Sequence, residues 1–169
     1  LPDTLQTLIL KCDITPSSLK YIPNNVAKLV FNENFNEELD FLPENLEYLG
    51  FGYFDKKYTI PYKSKFNKKL PILPKLKTLV LGDGPSAFNN QIDKGVLQNG
   101  LENLVIGYNY TRNLYNKIVP KTVRHFTCGY TNNLFENDCL PKNLYRLHLF
   151  ACDGYDFKEL KNTYIPENI

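Results

Sequence analysis

The chain has 169 residues, 43% of them hydrophobic and 22% charged, with a formal net charge of +2. That length and balance describe one ordinary globular domain with its own core and exclude a disordered tail. No apolar run approaches the roughly 18 residues that would cross a bilayer, and Lys and Arg are spread among Asp and Glu, which argues against nucleic acid and membrane as partners.

Read in order, the chain repeats one unit. The first copy is Pro2-x-x-Leu5-x-x-Leu8-x-Leu10 and the second Pro23-x-x-Val26-x-x-Leu29-x-Phe31. The third is Pro43-x-x-Leu46-x-x-Leu49-x-Phe51-Gly52, the clearest of the set. The fourth, Pro74-x-Leu76-x-x-Leu79-x-Leu81-Gly82, is one residue short after its proline. The fifth keeps Leu101-x-x-Leu104-x-Ile106-Gly107 without the proline. The sixth is Pro120-x-x-Val123-x-x-Phe126-x-Cys128-Gly129, the seventh Pro141-x-x-Leu144-x-x-Leu147-x-Leu149, and an eighth begins at Pro166.

The first apolar position of each unit falls at 5, 26, 46, 76, 101, 123, 144 and 169, in steps of 21, 20, 30, 25, 22, 21 and 25. Periods of this size belong to leucine-rich solenoids, in which each coil buries its apolar row against the next. The expectation is one β-rich solenoid domain over 1–169, curved, with one parallel strand per coil and few or short helices. The long step carries an insertion near 54–65, expected to bulge from the array as a loop. Proline precedes each strand, where its missing N–H costs no ladder bond, and glycine often follows, where the chain turns.

A second signature fills the return half of the coil. It reads Phe35-Asn36-x-x-Leu39, Phe66-Asn67-x-x-Leu70 and Phe88-Asn89-x-x-Ile92, with degenerate copies at Tyr110-Thr111-x-x-Leu114 and Tyr130-Thr131-x-x-Leu134. The aromatic and aliphatic positions supply a second internal row. The Asn side chains are placed to bond backbone groups of the turning chain, each coil's Asn stacked on the next.

On these residues the chain resembles the FNIP repeat family, a relative of the leucine-rich repeat found in amoebae and in giant viruses that infect them. The family's Phe-Asn-x-Pro-Ile/Leu motif departs here at its proline, replaced by Glu38, Lys69 and Gln91. The resemblance implies a non-catalytic protein-binding array. It further implies the substrate-recognition part of an F-box type ubiquitin-ligase adaptor, with a Skp1-type adaptor reached through an F-box outside these residues, in the cytoplasm (the host's, if viral). A structural scaffold unrelated to ubiquitination and a carbohydrate-active solenoid enzyme are the alternatives.

Strand alternation leaves two outward columns. One runs Thr7, Lys28, Tyr48, Thr78, Asn103, His125, Arg146, and the other Ile9, Val30, Gly50, Val80, Val105, Thr127, His148. The second reads as an apolar stripe on an otherwise wet face, a candidate binding surface. Towards the C-terminal end the face turns aromatic and cationic. Tyr48, His125, Arg146, His148 and Phe150 are the candidate partner-binding residues, since aromatic and Arg side chains are common anchors.

No catalytic motif is present, and neither enzyme activity, cofactor nor metal is expected. His125 and His148 lack an obvious third ligand, and Asp138, Asp153 and Asp156 read as turn caps. The stretch from Lys63 to Lys69 reads as a solvated loop. Cys12, Cys128, Cys139 and Cys152 form no C-x-x-C pair and read as small buried residues in a reducing compartment. With no methionine, a start at Leu1 and no polar capping repeat, the chain is expected to be a piece of a longer molecule.

Overall fold

The computed structural model describes residues 1–52, 63–82, 84–107, 109–112, 114, 118–129 and 140–150. Seven short strands follow one another: β1 (Thr7–Ile9), β2 (Lys28–Phe31), β3 (Tyr48–Phe51), β4 (Thr78–Val80), β5 (Asn103–Val105), β6 (His125–Gly129) and β7 (Arg146–Phe150). They form one parallel sheet in chain order, each strand touching only its neighbours. Among the described residues the helical content is a single 3₁₀ segment, Pro16–Tyr21, on the return half of the first coil.

The register follows the sequence repeat. Leu8, Leu29, Leu49, Leu79, Leu104, Phe126 and Leu147 lie side by side across the sheet. From Leu29 to Phe126 this inward column is fully buried. Each such side chain contributes about 1.5–3 kcal/mol of burial. In the first coil, which has one neighbour, Leu5, Leu8 and Leu10 stay half-buried.

A tight turn sets up every strand. The carbonyl of Pro2, Pro23, Pro43, Pro120 and Pro141 accepts the N–H of the residue three on, at 3.0–3.2 Å. In the fourth coil the accepting carbonyl belongs to Leu73, with Leu76 as donor at 3.2 Å. The apparent one-residue deletion is therefore a shift of proline within the same turn, from its first to its second position, where a fixed φ also suits it. In the fifth coil Gln98 and Leu101 close the turn without proline, at 3.2 Å.

Where the strand begins, one carbonyl accepts two successive N–H groups from the next coil. Gln6 takes Ala27 and Lys28, Ala27 takes Glu47 and Tyr48, Glu47 takes Lys77 and Thr78. The pattern continues through Lys77, Glu102 and Arg124, with distances of 2.8–3.1 Å throughout. Two donors converging on one acceptor distort the pleat, as a bulge does. The two residues between the leucines of Leu-x-x-Leu consequently form two adjacent columns.

The return half is laddered as expected. Asn36 Oδ1 accepts the Asn67 N–H (2.8 Å), Asn67 Oδ1 the Asn89 N–H (2.9 Å), and Asn89 Oδ1 the Thr111 N–H (3.0 Å). Inside this ladder, Phe35, Phe66, Phe88 and Tyr110 stack with ring centroids 6.3, 6.0 and 5.8 Å apart and planes within 16°. Phe31 and Phe51, from the strands, pack against Phe35 and Phe66 at 3.9 and 3.7 Å. Offset stacking of this kind adds about 0.5–1.5 kcal/mol per pair to the area term.

A buried polar row not foreseen from the sequence precedes the Phe-Asn pairs. Ser64 Oγ accepts the Phe66 N–H at 3.3 Å, and Ser86 Oγ accepts the Phe88 N–H at 3.2 Å while donating to the Leu81 carbonyl at 2.6 Å. Asn32 plays the same part for the Asn34 N–H at 3.0 Å. These short polar side chains satisfy backbone groups where the coil corners, which is why they tolerate burial.

Glycine after the strand has two explanations here. Gly52 and Gly82 adopt positive φ, 97° and 134°. Gly107 is required by closeness instead: a Cβ there would lie 2.3 Å from Ser86 Cβ and 2.7 Å from the Gly84 carbonyl oxygen.

Two expectations need correction or bounds. Cys128 is buried but Cys12 is exposed, because it follows β1 by three residues and lies outside the inward rows. The bulk of the insertion near 54–65 lies outside the described residues, as do Tyr130-Thr131-x-x-Leu134, Cys139, Cys152, Asp138, Asp153, Asp156 and the eighth unit. Lys63, Lys65 and Lys69 are exposed, and Lys68 pairs with Glu38 at 3.5 Å.

Candidate functional site

The register brings together the first outward column as Thr7, Lys28, Tyr48, Thr78, Asn103, His125 and Arg146. Its middle is polar and linked. Asn103 Nδ2 donates to Thr78 Oγ1 at 3.1 Å, and His125 Nδ1 lies 2.7 Å from Asn103 Oδ1. With the Asn amide so oriented, its oxygen can only accept, so Nδ1 carries the proton and Nε2 remains the ring's second site. The His125 ring also meets the edge of Tyr145, centroids 5.8 Å apart.

Tyr48 lies apart from this group. Its ring covers Gly50, with Cε1 3.0 Å from where a Cβ would stand, and the Lys28 ammonium sits 4.5 Å from its centroid. Burial pushes its phenol above the ordinary tyrosine range. In the second outward column the apolar stripe suggested by its composition is packed away between Val30 and Val80, while Ile9 is 45% exposed and Val105 half-buried. Val30 and Val80 are only 6% and 4% exposed, and Gly50 is buried under Tyr48. These side chains are packed on the sheet surface rather than presented from it.

The column that strand alternation hides is the one the doubled hydrogen bonds create: Gln6, Ala27, Glu47, Lys77, Glu102, Arg124 and Tyr145. Glu47 and Lys77 form an exposed ion pair at 2.9 Å. The bond to Glu47, then the charges of Glu47 and Glu102, raise the Lys77 ammonium above its ordinary range. Past Glu102 the column turns to Arg124 and Tyr145.

Where both columns meet at the entry of β5–β7, they border a groove of about 720 Å³. Glu102, Lys121, Arg124, His125, Asn143 and Tyr145 are among the residues that line it. Its size is that of an ordinary ligand or side-chain pocket. Arg124, His125 and Arg146 are exposed, and Tyr145 is 75% exposed, the most open large hydrophobic residue described. Of the proposed contact residues, then, His125 and Arg146 stand beside this groove. His148 is exposed one column over, Tyr48 sits on β3 away from the groove, and the side chain of Phe150 is outside the described residues.

Arg124, Tyr145 and Glu102 were missed because period-two alternation allots one outward residue where Leu-x-x-Leu has two, and Lys121 because it lies in the turn before the unit's first apolar position. The spacing itself was the signal. No group of three or more His, Cys, Asp or Glu side chains is placed to hold a metal ion among the described residues, and none of their helices is long and apolar enough to cross a membrane.

Residues 17–54 and 88–131 match the FNIP Repeat family. No curated protein and no solved structure matches the chain. The two matched stretches cover the strand unit and the Phe-Asn half together, and both are FNIP repeats by that match.

Proposed function

We propose that this FNIP repeat solenoid is a non-catalytic protein-binding module whose contact surface is the entry edge of β5–β7. The observation that carries the reading is Tyr145. It is a large aromatic left open on the outward side of the array, and it stands beside His125, Arg124 and Arg146. Tyr and Arg at the rim of a groove are the residue types that most often anchor a partner.

The finer form of the reading is substrate recognition within an F-box type ubiquitin-ligase adaptor. It is supported by the family resemblance alone, and fold kinship by itself does not assign a role. Co-purification of the full gene product with a Skp1-type adaptor tests it; a product that never associates with one leaves a scaffold role as the better reading.

The binding role itself is tested by affinity capture from cell extract. The wild type is compared with Tyr145→Ala/Arg146→Ala and, as a control on the opposite side, Glu37→Ala. The double variant should lose partners that the control retains, at an unchanged melting temperature. Capture of the same set by all three proteins would overturn the reading.

A further inference from the structure

Charge is distributed unevenly along the array. Residues 1–52 carry eight carboxylates against three lysines. Residues 118–129 and 140–150, the last two described coils, carry Lys121, Arg124, Lys142 and Arg146 without a carboxylate, while Glu136 and Asp138 lie between them in sequence and Asp153, Asp156, Glu159 and Glu167 follow.

Two lysines elsewhere on the array are ion-paired. Lys77 pairs with Glu47 and Lys68 with Glu38. Among the described residues, no carboxylate lies within ion-pair distance of Lys121, Arg124, Lys142 or Arg146. Glu102, the groove's single acid, stands on the side towards Lys77, whose ammonium its charge already stabilises.

We infer that the groove at the entry of β5–β7 takes a short acidic peptide segment, its carboxylates on Lys121, Arg124 and Arg146 and an apolar side chain against Tyr145. The inference rests on the protein-binding reading above and adds the chemistry of the partner. Guanidinium groups with no carboxylate partner among the described residues favour carboxylates through paired N–H donors, and the exposed aromatic supplies apolar contact between them. A segment of a few residues fits better than a nucleic-acid strand. A long polyanion would have to run from two basic coils onto Glu102, Glu47 and the acidic N-terminal third, where it is repelled.

The test is fluorescence anisotropy with a short labelled oligoglutamate bearing one central tryptophan. The oligolysine counterpart and single-stranded RNA serve as comparisons. The oligoglutamate should bind the wild type in low salt, weaken as salt rises, and lose about tenfold or more in affinity on Arg124→Glu/Arg146→Glu. Glu102→Gln should instead tighten binding, by about threefold, since it removes the one opposing charge. This gain cannot come from a damaged fold. Stronger binding of the RNA or the oligolysine would overturn the inference, and so would indifference to both substitutions. Salt-sensitive self-association of the chain that competes with the peptide would overturn it too, by assigning the groove to a second copy. If oligoglutamate fails while extract capture still depends on Tyr145 and Arg146, the acidic partner is wrong and the binding role stands. If capture is also indifferent to those residues, both fall.

Discussion

His125 Nδ1 sits 2.7 Å from Asn103 Oδ1, one coil away, and the Asn amide is itself held by Thr78. Three successive coils thus fix the orientation of one imidazole at the rim of the groove. An amide oxygen has no proton to give, so the neutral ring must carry its hydrogen on Nδ1. Two-bond ¹H–¹⁵N correlation spectra should show that tautomer in the wild type and a mixture in Asn103→Ala. A dominant Nε2–H form in the wild type would refute the assignment.

Asn67 holds two places in the return ladder, donating its own N–H to Asn36 and accepting that of Asn89. Asn67→Ala removes the acceptor for Asn89 and should cost about 0.5–1.5 kcal/mol, the net worth of an exposed hydrogen bond. Urea denaturation measures it. An effect of the same size from Asn99→Ala, outside the ladder, would show that the loss has another origin.

Gly107→Ala should be far more damaging than its one added methyl suggests. The new Cβ would stand 2.3 Å from Ser86 Cβ and 2.7 Å from the Gly84 carbonyl oxygen, and backbone cannot give way cheaply. A loss of about 3 kcal/mol or more is expected, in the range of severe overpacking. Adding Ser86→Gly should recover part of it, because the Gly84 contact remains. Full stability in the single variant, by thermal or urea unfolding, would show that the two coils are not in such close contact.

The Tyr110 hydroxyl is the one buried side-chain polar atom without a hydrogen-bond partner among the described residues. Burial pushes its phenol up to about 12; the Ile92 backbone and Arg112 oppose the rise without completing a bond to it. Since the folded form holds its proton longer than the unfolded one, stability is intact below the ordinary tyrosine value of about 10 and falls as pH rises towards the folded value. Tyr110→Phe should therefore be neutral or slightly stabilising at pH 7 and should lose less stability between pH 10 and 12. A parallel decline of the two proteins across that range would contradict the burial of the phenol.

A core truncation gives the scale against which these are judged. Leu49 is fully buried between Leu29 and Leu79. Leu49→Ala should cost about 2–5 kcal/mol in urea unfolding, and a much smaller loss would show that the rows are loosely packed.

The inward architecture was legible because apolar spacing and burial are two views of one constraint. Leu8, Leu29, Leu49 and their successors occupy equal positions in the sequence unit, and their alignment across the sheet needed nothing more. The Asn ladder was legible for a related reason: a short amide at a fixed phase has few backbone groups to reach. The outward face was less so. Whether Val30 and Val80 are open or packed depends on what lies over the sheet, which no periodicity records. Arg124 and Tyr145 join one surface because the Glu102 and Arg124 carbonyls each take two donors, a geometric event that residue types do not announce. The role of Ser64 and Ser86 as buried corner posts was hidden by their ordinary frequency in loops.

The carbonyls that each take two N–H groups also say how such an array can change. Every bond in that row, from Gln6 to Arg124, is made by main-chain atoms, and the side chains at those positions range from Ala27 to Tyr145. Folding places almost no demand on their identity. A lineage can therefore substitute one coil's outward pair at a time, passing through intermediates that all remain folded, and so acquire a new partner gradually. The positions most open to such drift are the ones that recognition would use, while the glycine, asparagine and leucine rows stay under the constraint of the coil.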